Sequence, residues 1–308
     1  MIGLNNNMKI TIIGAGNVGA TTAYAILLKN LAAEVILIDI NDKKEAGEVW
    51  DIADGLGVLE SGGIRQGNFA DARAADVLII TAGLAQRAGG ETRLDLFAKN
   101  KEIMTSIFTA IGPLDRQTIV LVITNPVDAL VAHVQKISGL PRTQVFGSGT
   151  TLDTARLRRC LSERLNVSSR NIHGYVLGEH GDSGFVAWST VTVGGVPVIK
   201  LPGFSPALAE EVEIEIRQSA NKIIARKGAT FYGIATVITK ILEAILADAE
   251  LVLPVSTRLT NWNGVSGVCL GAPAVIGRRG IVRHWPLSLT ATEKKKLRAA
   301  ARVIKCFS

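Results

Sequence analysis

Cysteines and long apolar runs are scarce in this 308-residue chain, and each scarcity excludes a class of protein. The three cysteines, Cys160, Cys269 and Cys306, lack the spacing of a thiolate metal site or of a disulfide framework. We therefore expect reduced packing residues in a cytoplasmic protein. The longest apolar runs, such as 119–123, fall short of the roughly 18 residues of a membrane helix, and "MIGLNNNMKI" does not resemble a signal peptide. We expect no membrane association.

Aromatic side chains are also few, since 3 tyrosines and 8 phenylalanines offer little surface for stacking nucleic-acid bases. Lysine and arginine number 34 against 27 acidic residues, which gives a net charge of +7 and favours anionic partners. The arginines are scattered along the chain, however, so we expect no nucleic acid as a partner. The sequence contains no cluster of metal ligands, and we expect no metal.

Apolar strands alternate with helical segments over the first half of the chain. The segments "MKITIIGAG", "EVILIDI", "ADVLIITAG" and "QTIVLVITNP" are strand-sized and continuously apolar. The intervening segments "NVGATTAYAILLKN" and "NDKKEAGEVWDIADG" have the pattern of helices, the second opened by Asn41 or Asp42 as its cap. Continuous apolar strands separated by helices indicate a parallel sheet covered on both faces.

The pattern changes after residue 148. A helix is predicted over "TLDTARLRRCLSERL", then alternating segments around a Gly194–Gly195 turn, two long helices near 206–226 and 232–248, further strands and a basic helix at the end. The sequence therefore predicts an α/β fold. A Rossmann-type doubly wound parallel sheet occupies residues 1–147, and a second, mixed α+β domain occupies residues 148–308.

The segment "GAGNVG", residues 14–19, follows the first predicted strand and opens the first predicted helix. In a G-x-G-x-x-G turn, Gly14 permits the tight turn, Gly16 lets the backbone approach a pyrophosphate and Gly19 permits close helix packing. Asp39 ends the second strand 20 residues after Gly19, where a carboxylate accepts hydrogen bonds from ribose hydroxyls and repels the extra phosphate of NADP. We predict an NAD site that includes Asn17 and Val18; a structural turn is the alternative.

Two further segments carry ionisable groups suited to acid–base chemistry. "GEHGDS" places His180 among glycines and acids, and "LDTAR" places Asp153 and Arg156 three residues apart on one helix face. A carboxylate beside an imidazole stabilises its protonated form, and an arginine binds a carboxylate through two parallel hydrogen bonds. A single histidine is more often structural, and spacing alone leaves Asp153 and Arg156 as one of many possible ion pairs.

These segments, together with "GGETRLDL", "ITNPVD", "GSGTTLDTAR" and "KGATFYGIA", occur in an order that resembles the lactate and malate dehydrogenase family over nearly the whole chain. The resemblance implies that His180 donates and accepts the proton and that Asp153 orients the His180 imidazole. It also implies that Arg156 binds the substrate carboxylate. It implies that Arg93 polarises the substrate carbonyl.

The same resemblance assigns the residues around the nicotinamide. Asn125 matches a residue near the substrate oxygen, and Ser148 and Ile234 match residues that line the nicotinamide. The resemblance also implies a cis peptide bond between Asn125 and Pro126.

The substrate is decided in this family by a residue six positions before the loop arginine, glutamine in lactate enzymes and arginine in malate enzymes. Strict counting back from Arg93 reaches Arg87 and suggests malate. If one residue of 88–90 is an insertion, Gln86 takes the selector position and Arg87 the exposed position after it. Glu91 and Thr230 both match the lactate branch. The resemblance thus favours pyruvate and L-lactate as substrates, with Gln86 and Thr230 in the substrate pocket.

Three alternatives and one regulatory hypothesis accompany this interpretation. The alternatives are a dehydrogenase of malate, a dehydrogenase of a bulkier 2-hydroxy acid, and a catalytically silent protein that only binds NAD. Arg158 and His173 match an effector site for fructose-1,6-bisphosphate in bacterial lactate enzymes. Arg156 and Arg158 lie about 200° apart around one helix and cannot serve one pocket. The family suggests a homotetramer.

Overall fold

A mixed sheet of nine strands forms the centre of the computed structural model, which describes residues 8–59, 62–85 and 92–307. The parallel strands are β1 (Lys9–Ile13), β2 (Glu34–Ile38), β3 (Gly63–Gln66), β4 (Val77–Ile80), β5 (Ile119–Val122) and β6 (Val145–Gly147). Their spatial order is β3-β2-β1-β4-β5-β6, so the winding reverses between β1 and β4. A doubly wound sheet binds its ligand at this reversal, outside the carboxyl ends of the strands.

Helices cover both faces of these strands, as the apolar pattern predicts. They are α1 (Asn17–Leu28), α2 (Asp42–Leu56), α3 (Phe69–Arg73), α4 (Arg93–Ile111) and α5 (Val127–Ile137). Every residue of β4 and β5 is buried, which explains why their sequences do not alternate. Of the two predicted caps of α2, Asn41 is the one used: its side chain accepts a hydrogen bond from the backbone N–H of Lys44 at 3.1 Å.

The second half contributes four helices and eight strands to the described part of the chain. The helices are α6 (Thr151–Leu165), α7 (Pro206–Lys227), α8 (Tyr232–Leu246) and α9 (Ala291–Lys305). The strands are β7 (Ile172–His173), β8 (Val176–Leu177), β9 (Phe185–Val186), β10 (Thr192–Val193), β11 (Val196–Pro197), β12 (Leu251–Arg258), β13 (Cys269–Gly277) and β14 (Gly280–His284). The Rossmann-type sheet and the mixed second half confirm the predicted fold class.

The strands β12, β13 and β14 extend the first sheet, which the sequence did not indicate. β12 runs antiparallel to β6, with Ser256 opposite Gly147, and β13 and β14 continue antiparallel beyond it. The apolar cluster under this sheet mixes both halves, since Ile12 and Leu121 lie in it with Ile241 and Ile276. The two halves therefore share one sheet and one core.

The alternating segments around Gly194 and Gly195 form a shorter hairpin than their pattern predicts. Both glycines have positive φ, 56° and 85°, and they connect β10 to β11 as expected for a tight turn. Residues 188–190 form a 3-10 turn instead of a strand. Hydrogen bonds of two kinds accompany this turn: the Thr190 hydroxyl donates locally to the carbonyl of Ala187, and the backbone N–H and hydroxyl of Ser189 both donate to Glu293, 104 residues further along the chain. Across the described ranges, no helix has the length and apolarity needed to span a membrane.

Candidate active site

The turn after β1 has the shape required for a dinucleotide pyrophosphate. Gly14 has φ +109°, and a Cβ there would lie 2.6 Å from the backbone nitrogen of Ala82. A Cβ on Gly19 would collide with the Gly14 carbonyl, so both positions require glycine. Beside Gly16, by contrast, no heavy atom lies within 4 Å of the Cβ position. That open space is where the backbone can approach a phosphate.

The N-terminus of α1 supplies the charge that suits this space. Gly16 caps the helix without a side-chain hydrogen bond, and the first turn contains no acidic residue. The N–H groups of Asn17 and Val18 therefore begin a helix whose positive end is not compensated locally. These residues fit a dinucleotide pyrophosphate.

Asp39 follows β2 directly and lies against the same turn. Its Oδ2 accepts a hydrogen bond from the backbone N–H of Ala15 at 2.6 Å, and its Oδ1 accepts one from Asn41 at 2.9 Å. Each carboxylate oxygen keeps a lone pair for a ribose hydroxyl. The carboxylate therefore stands beside the pyrophosphate turn, as the sequence predicts.

Of the residues matched to the substrate oxygen and the nicotinamide, Asn125 and Ser148 lie just beyond the carboxyl ends of β5 and β6. The Asn125–Pro126 peptide bond is cis, and the Asn125 carbonyl accepts a hydrogen bond from Asn100 at 2.7 Å. Ser148 is buried directly after β6. Ile234 lies in the first turn of α8, half-buried against the shared core. Asn125 and Ser148 therefore lie at the edge where a doubly wound sheet binds ligands.

A buried carboxylate joins the predicted histidine to the predicted arginine. The Asp153 Oδ2 lies 2.6 Å from His180 Nδ1, and its Oδ1 accepts a hydrogen bond from Arg156 Nη1 at 2.9 Å. Asp153 and Arg156 are 8% and 9% exposed, and the His180 side chain is 26% exposed. Because an ionised carboxylate only accepts hydrogen bonds, Nδ1 carries a proton and Nε2 is the imidazole nitrogen that remains for a substrate.

The charges of this cluster favour a protonated imidazole. The negative charge of Asp153 raises the pKa of His180 above its ordinary value, although burial opposes this. Burial by itself would raise the pKa of Asp153, but the attraction of His180 and Arg156 outweighs it and the Asp153 pKa is lowered. The arrangement therefore favours the imidazolium and carboxylate forms of the pair.

Asp128 binds the backbone of His180, and the sequence analysis did not single it out. Its Oδ2 accepts a hydrogen bond from the His180 backbone N–H at 2.8 Å, and its Oδ1 accepts one from the Ser256 hydroxyl at 2.5 Å. Burial raises the pKa of Asp128 to about 6, against the lowering effect of these hydrogen bonds. Asp128 thus connects α5, the His180 loop and β12.

Arg93 is the first residue of α4, and its guanidinium contacts two acids that flank His180. Its Nη1 lies 2.5 Å from Glu179 Oε1, and its Nη2 lies 3.2 Å from Asp182 Oδ2. Glu179 is buried, and its second oxygen accepts a hydrogen bond from the Ser183 hydroxyl. A Cβ on Gly181 would collide with the Arg93 guanidinium, so the glycine beside His180 makes room for the arginine.

Several predicted residues are not joined to this cluster. Gln86, Arg87 and Glu91 lie outside the described residues. Thr230 is half-buried just before α8, and no side-chain hydrogen bond connects it to His180 in the described ranges. Arg158 and His173 are treated separately below.

Most of the residues that sequence analysis missed are polar side chains inside motifs that it did find. Asp128 belongs to "ITNPVD", and Glu179 and Ser183 belong to "GEHGDS". Their positions inside recognisable segments were a signal, because buried acids require partners. Ser256 carried no such signal, since its partner Asp128 lies 128 residues earlier in the chain.

We expect Asp153→Asn to lower the pKa of His180 below its ordinary value. The largest cause of the raised pKa is the Asp153 charge; once it is removed, burial, the largest remaining cause, and the positive charge of Arg156 lower the pKa and outweigh the raising effect of Asp128. An NMR titration of the His180 imidazole in both proteins measures the shift. Asp182→Asn, which removes a 91% exposed acid two residues from His180, is the control and should leave that pKa nearly in place. An unchanged His180 pKa in Asp153→Asn would contradict the role given to this carboxylate.

Known proteins match this chain over nearly its whole length. The sequence profile of the lactate/malate dehydrogenase NAD-binding domain matches residues 8–147, and that of the family's alpha/beta C-terminal domain matches residues 150–306. The L-lactate dehydrogenase of Clostridium botulinum (strain Loch Maree / Type A3) is 40% identical over 310 residues, covering 99% of this chain and 97% of that protein. The L-lactate dehydrogenase of Thermoanaerobacter sp. (strain X514) is 43% identical over 302 residues, covering 96% and 97%.

Solved structures agree as well. The minor L-lactate dehydrogenase of Enterococcus mundtii, in a ligand-bound form, superimposes with a TM-score of 0.93 at 37% identity, covering 98% of each chain. Residues 8–147 are thus the NAD-binding domain, and NAD is the cofactor. With both family profiles matched and full-length relatives at 40% identity, the chain belongs to the lactate/malate dehydrogenase family.

Proposed function

We propose that the chain is an NAD-dependent L-lactate dehydrogenase that interconverts pyruvate and L-lactate. The observation that carries the proposal is the Asp153 carboxylate held between His180 and Arg156, which combines a proton donor with a carboxylate-binding group. The relatives at 40% and 43% identity are named L-lactate dehydrogenases. We place the boundary between the NAD-binding and substrate domains at residues 147 and 148, and we propose a cytoplasmic location from the sparse, unpaired cysteines.

Proton transfer is assigned to His180. Bound NADH supplies a hydride to the carbonyl carbon of pyruvate when the cofactor is in its site. Negative charge grows on the carbonyl oxygen, and His180 donates the proton from Nε2, because Nδ1 faces Asp153. The raised pKa of His180 favours the protonated form of this donor. In the reverse direction the neutral imidazole accepts the hydroxyl proton of L-lactate.

Arg156 binds the substrate carboxylate in this proposal. One of its terminal nitrogens donates to Asp153, and the guanidinium retains further N–H groups for a second carboxylate. Asn125 and Thr230 are assigned to the remaining polar and apolar contacts of the substrate. The Asp153 carboxylate also offsets the cost of holding a 9% exposed arginine without substrate.

Arg93 is assigned to stabilise the negative charge on the substrate oxygen. In this structure its guanidinium is paired with Glu179 and Asp182, so the carbonyl oxygen must compete for its N–H groups. The buried position of Glu179 keeps the arginine beside the His180 loop between turnovers. Stabilisation of the developing charge by such a donor is a large part of catalysis in enzymes of this kind.

The choice of pyruvate rests on the register of the substrate loop, in which Gln86 is the selector. We expect pyruvate to exceed oxaloacetate in kcat/KM by orders of magnitude. Gln86→Arg should shift the preference toward oxaloacetate by about a hundredfold, since a desolvated charge pair contributes about 3 kcal/mol. Initial rates with NADH and each keto acid measure the preference.

The matched control for this experiment is Arg87→Ala. If Gln86 is the selector, removal of the neighbouring arginine leaves the preference for pyruvate nearly unchanged. The opposite register predicts oxaloacetate as the better substrate of the unmodified protein, and loss of that preference in Arg87→Ala. No turnover of either keto acid would instead support a protein that only binds NAD.

We further propose that Arg158 and His173 bind fructose-1,6-bisphosphate as an effector. Arg158 lies on α6 away from Asp153, and its Nε is buried without a hydrogen-bond partner. Within the described ranges no carboxylate pairs with its guanidinium, and burial lowers its pKa although nearby Tyr175 opposes this. A half-buried arginine without an acid favours an anionic ligand. His173 is exposed on β7 and adds an imidazole to the proposed site.

Fructose-1,6-bisphosphate should lower the KM for pyruvate, and Arg158→Gln should abolish that response. Arg159→Gln is the matched control, because the neighbouring arginine is already paired with Glu163 and Glu215. Steady-state rates with and without the bisphosphate, from pH 5 to 8, the interval of roughly the histidine charge change, measure the response. An unmodified protein that ignores the bisphosphate across this interval contradicts the proposal.

We propose that the protein is a homotetramer. Large apolar side chains remain exposed on adjoining helices of this chain: Trp50 on α2 is 68% exposed, Tyr232 on α8 66%, Leu28 on α1 55% and Tyr24 on α1 47%. The helix α1 contacts both α2 and α8, and exposed apolar side chains on such helices favour burial between subunits.

Sedimentation at micromolar concentration should show four chains for the unmodified protein and fewer for Trp50→Arg, because the substitution places a charge in the buried contact. Val303→Arg, a 39% exposed apolar position on α9, serves as the control and should sediment like the unmodified protein. A monomer at these concentrations would refute the assignment.

A further inference from the structure

Glu45 is a buried acid on a helix that otherwise buries almost nothing. The helix α2 has two buried residues, Glu45 and Val49, and Glu45 is 4% exposed. Burying a carboxylate is unfavourable unless it accepts hydrogen bonds. Its Oε2 accepts one from the backbone N–H of Asp39 at 2.8 Å. The acid is thus buried in contact with Asp39, the first residue after β2.

The hydrogen bond fixes the backbone where β2 ends. The carbonyl of Leu37 accepts a hydrogen bond from the backbone N–H of Gly67, and that of Ile38 accepts one from Gly14. Asp39 is therefore the first residue beyond the hydrogen-bonded strand. In the described part of the chain its N–H has Glu45 as its acceptor. Without that acceptor the peptide before Asp39 would keep a partly buried donor without a partner and would be free to rotate.

The orientation of this peptide decides where the Asp39 carboxylate points. The carboxylate bridges two elements, since one oxygen accepts from Ala15 in the pyrophosphate turn and the other from Asn41, the cap of α2. The two hydrogen bonds, of 2.6 and 2.9 Å, together hold the Asp39 side chain in one orientation. Glu45, Asp39 and Ala15 therefore form a chain of hydrogen bonds from α2 to the pyrophosphate turn.

We propose that Glu45 is a positioning residue for cofactor choice, which acts by holding Asp39 in the orientation that accepts the adenosine ribose hydroxyls and turns away a 2′-phosphate. Its contribution comes from the hydrogen-bond acceptor at Oε2. The proposal concerns the NAD site that the family membership assigns, and it stands whichever hydroxy acid the enzyme oxidises.

The test compares two substitutions of similar volume. Glu45→Gln keeps an oxygen acceptor without the charge, and Glu45→Met keeps neither. The dissociation constants of NADH and NADPH are measured directly by fluorescence titration, which needs no turnover. We expect Glu45→Gln to bind NADH within about twofold of the unmodified protein, and Glu45→Met to bind it about tenfold more weakly, the effect of losing one hydrogen bond to a charged acceptor. The NADPH to NADH affinity ratio should rise in Glu45→Met, because only NADH uses the oriented carboxylate.

A double-mutant cycle with Asp39→Ala shows whether Glu45 acts through Asp39. Glu45→Met should weaken NADH binding no further once the Asp39 carboxylate is absent. Glu48→Ala is the control on the same helix, since that acid is half-buried three residues further on with no hydrogen bond in the described ranges. If Glu45→Met does not fold, Glu45→Leu replaces it in the same comparison.

Three results would overturn the proposal: NADH affinity unchanged in Glu45→Met, Glu45→Gln as weak as Glu45→Met, or full additivity with Asp39→Ala. The second would show that the charge matters and the hydrogen bond does not. A merely structural role predicts lower thermal stability with unchanged affinities. With pyruvate as substrate, we expect the KM for NADH to rise in Glu45→Met, while kcat at saturating NADH stays within about twofold of the unmodified protein. If pyruvate is not turned over at all, that result contradicts the proposed reaction. The binding measurements test the role of Glu45 in either case.

Discussion

The active site depends on one buried carboxylate that serves two cations. Asp153 faces His180 with one oxygen and Arg156 with the other, and these bonds offset the desolvation of all three groups. The cluster is tolerable in a buried position because each charge has an opposite neighbour. Removal of the carboxylate would leave the Arg156 guanidinium without its partner in a buried position and would disfavour the protonated form of His180. The proton donor and the substrate-binding group therefore exist as a unit.

A second layer of buried polar residues holds this unit in place. Asp128 receives the His180 backbone N–H and the Ser256 hydroxyl, and so ties the catalytic loop to α5 and to β12. The extension of the sheet by antiparallel strands brings Ser256 to this point. Glu179 belongs to the same set of buried polar residues and pairs with Arg93. Orientation of catalytic groups by hydrogen-bonded neighbours is what keeps their geometry within a narrow range.

The cofactor site and the catalytic cluster meet along one edge of the sheet. Gly14, Asn125 and Ser148 each follow a parallel strand at its carboxyl end, so the residues assigned to pyrophosphate and nicotinamide lie in a row. The helix α6 begins three residues after Ser148 and carries Asp153 in its first turn. Short connections at this edge therefore join the two sites without a long linker.

The sequence by itself determined most of the elements and pointed to the residues of the candidate site. Continuous apolar strands, glycines that only a tight turn requires and acid–base residues within short motifs are local signals, and the fold class, the NAD site and the cluster of His180, Asp153 and Arg156 all agree with them. Roles depended on the family resemblance, because spacing alone left Asp153 and Arg156 as an ordinary ion pair.

Tertiary structure alone decided which distant groups share a site. The pairing of Asp128 with Ser256, the contact of Arg93 with Glu179 and the joining of β12 to β6 link positions far apart in the chain. A sequence pattern reports the period of one element and the face it buries, but not which other element covers that face. Glu45 shows the limit most clearly, because a buried acid in an otherwise exposed helix becomes intelligible only when the Asp39 N–H beside it is seen.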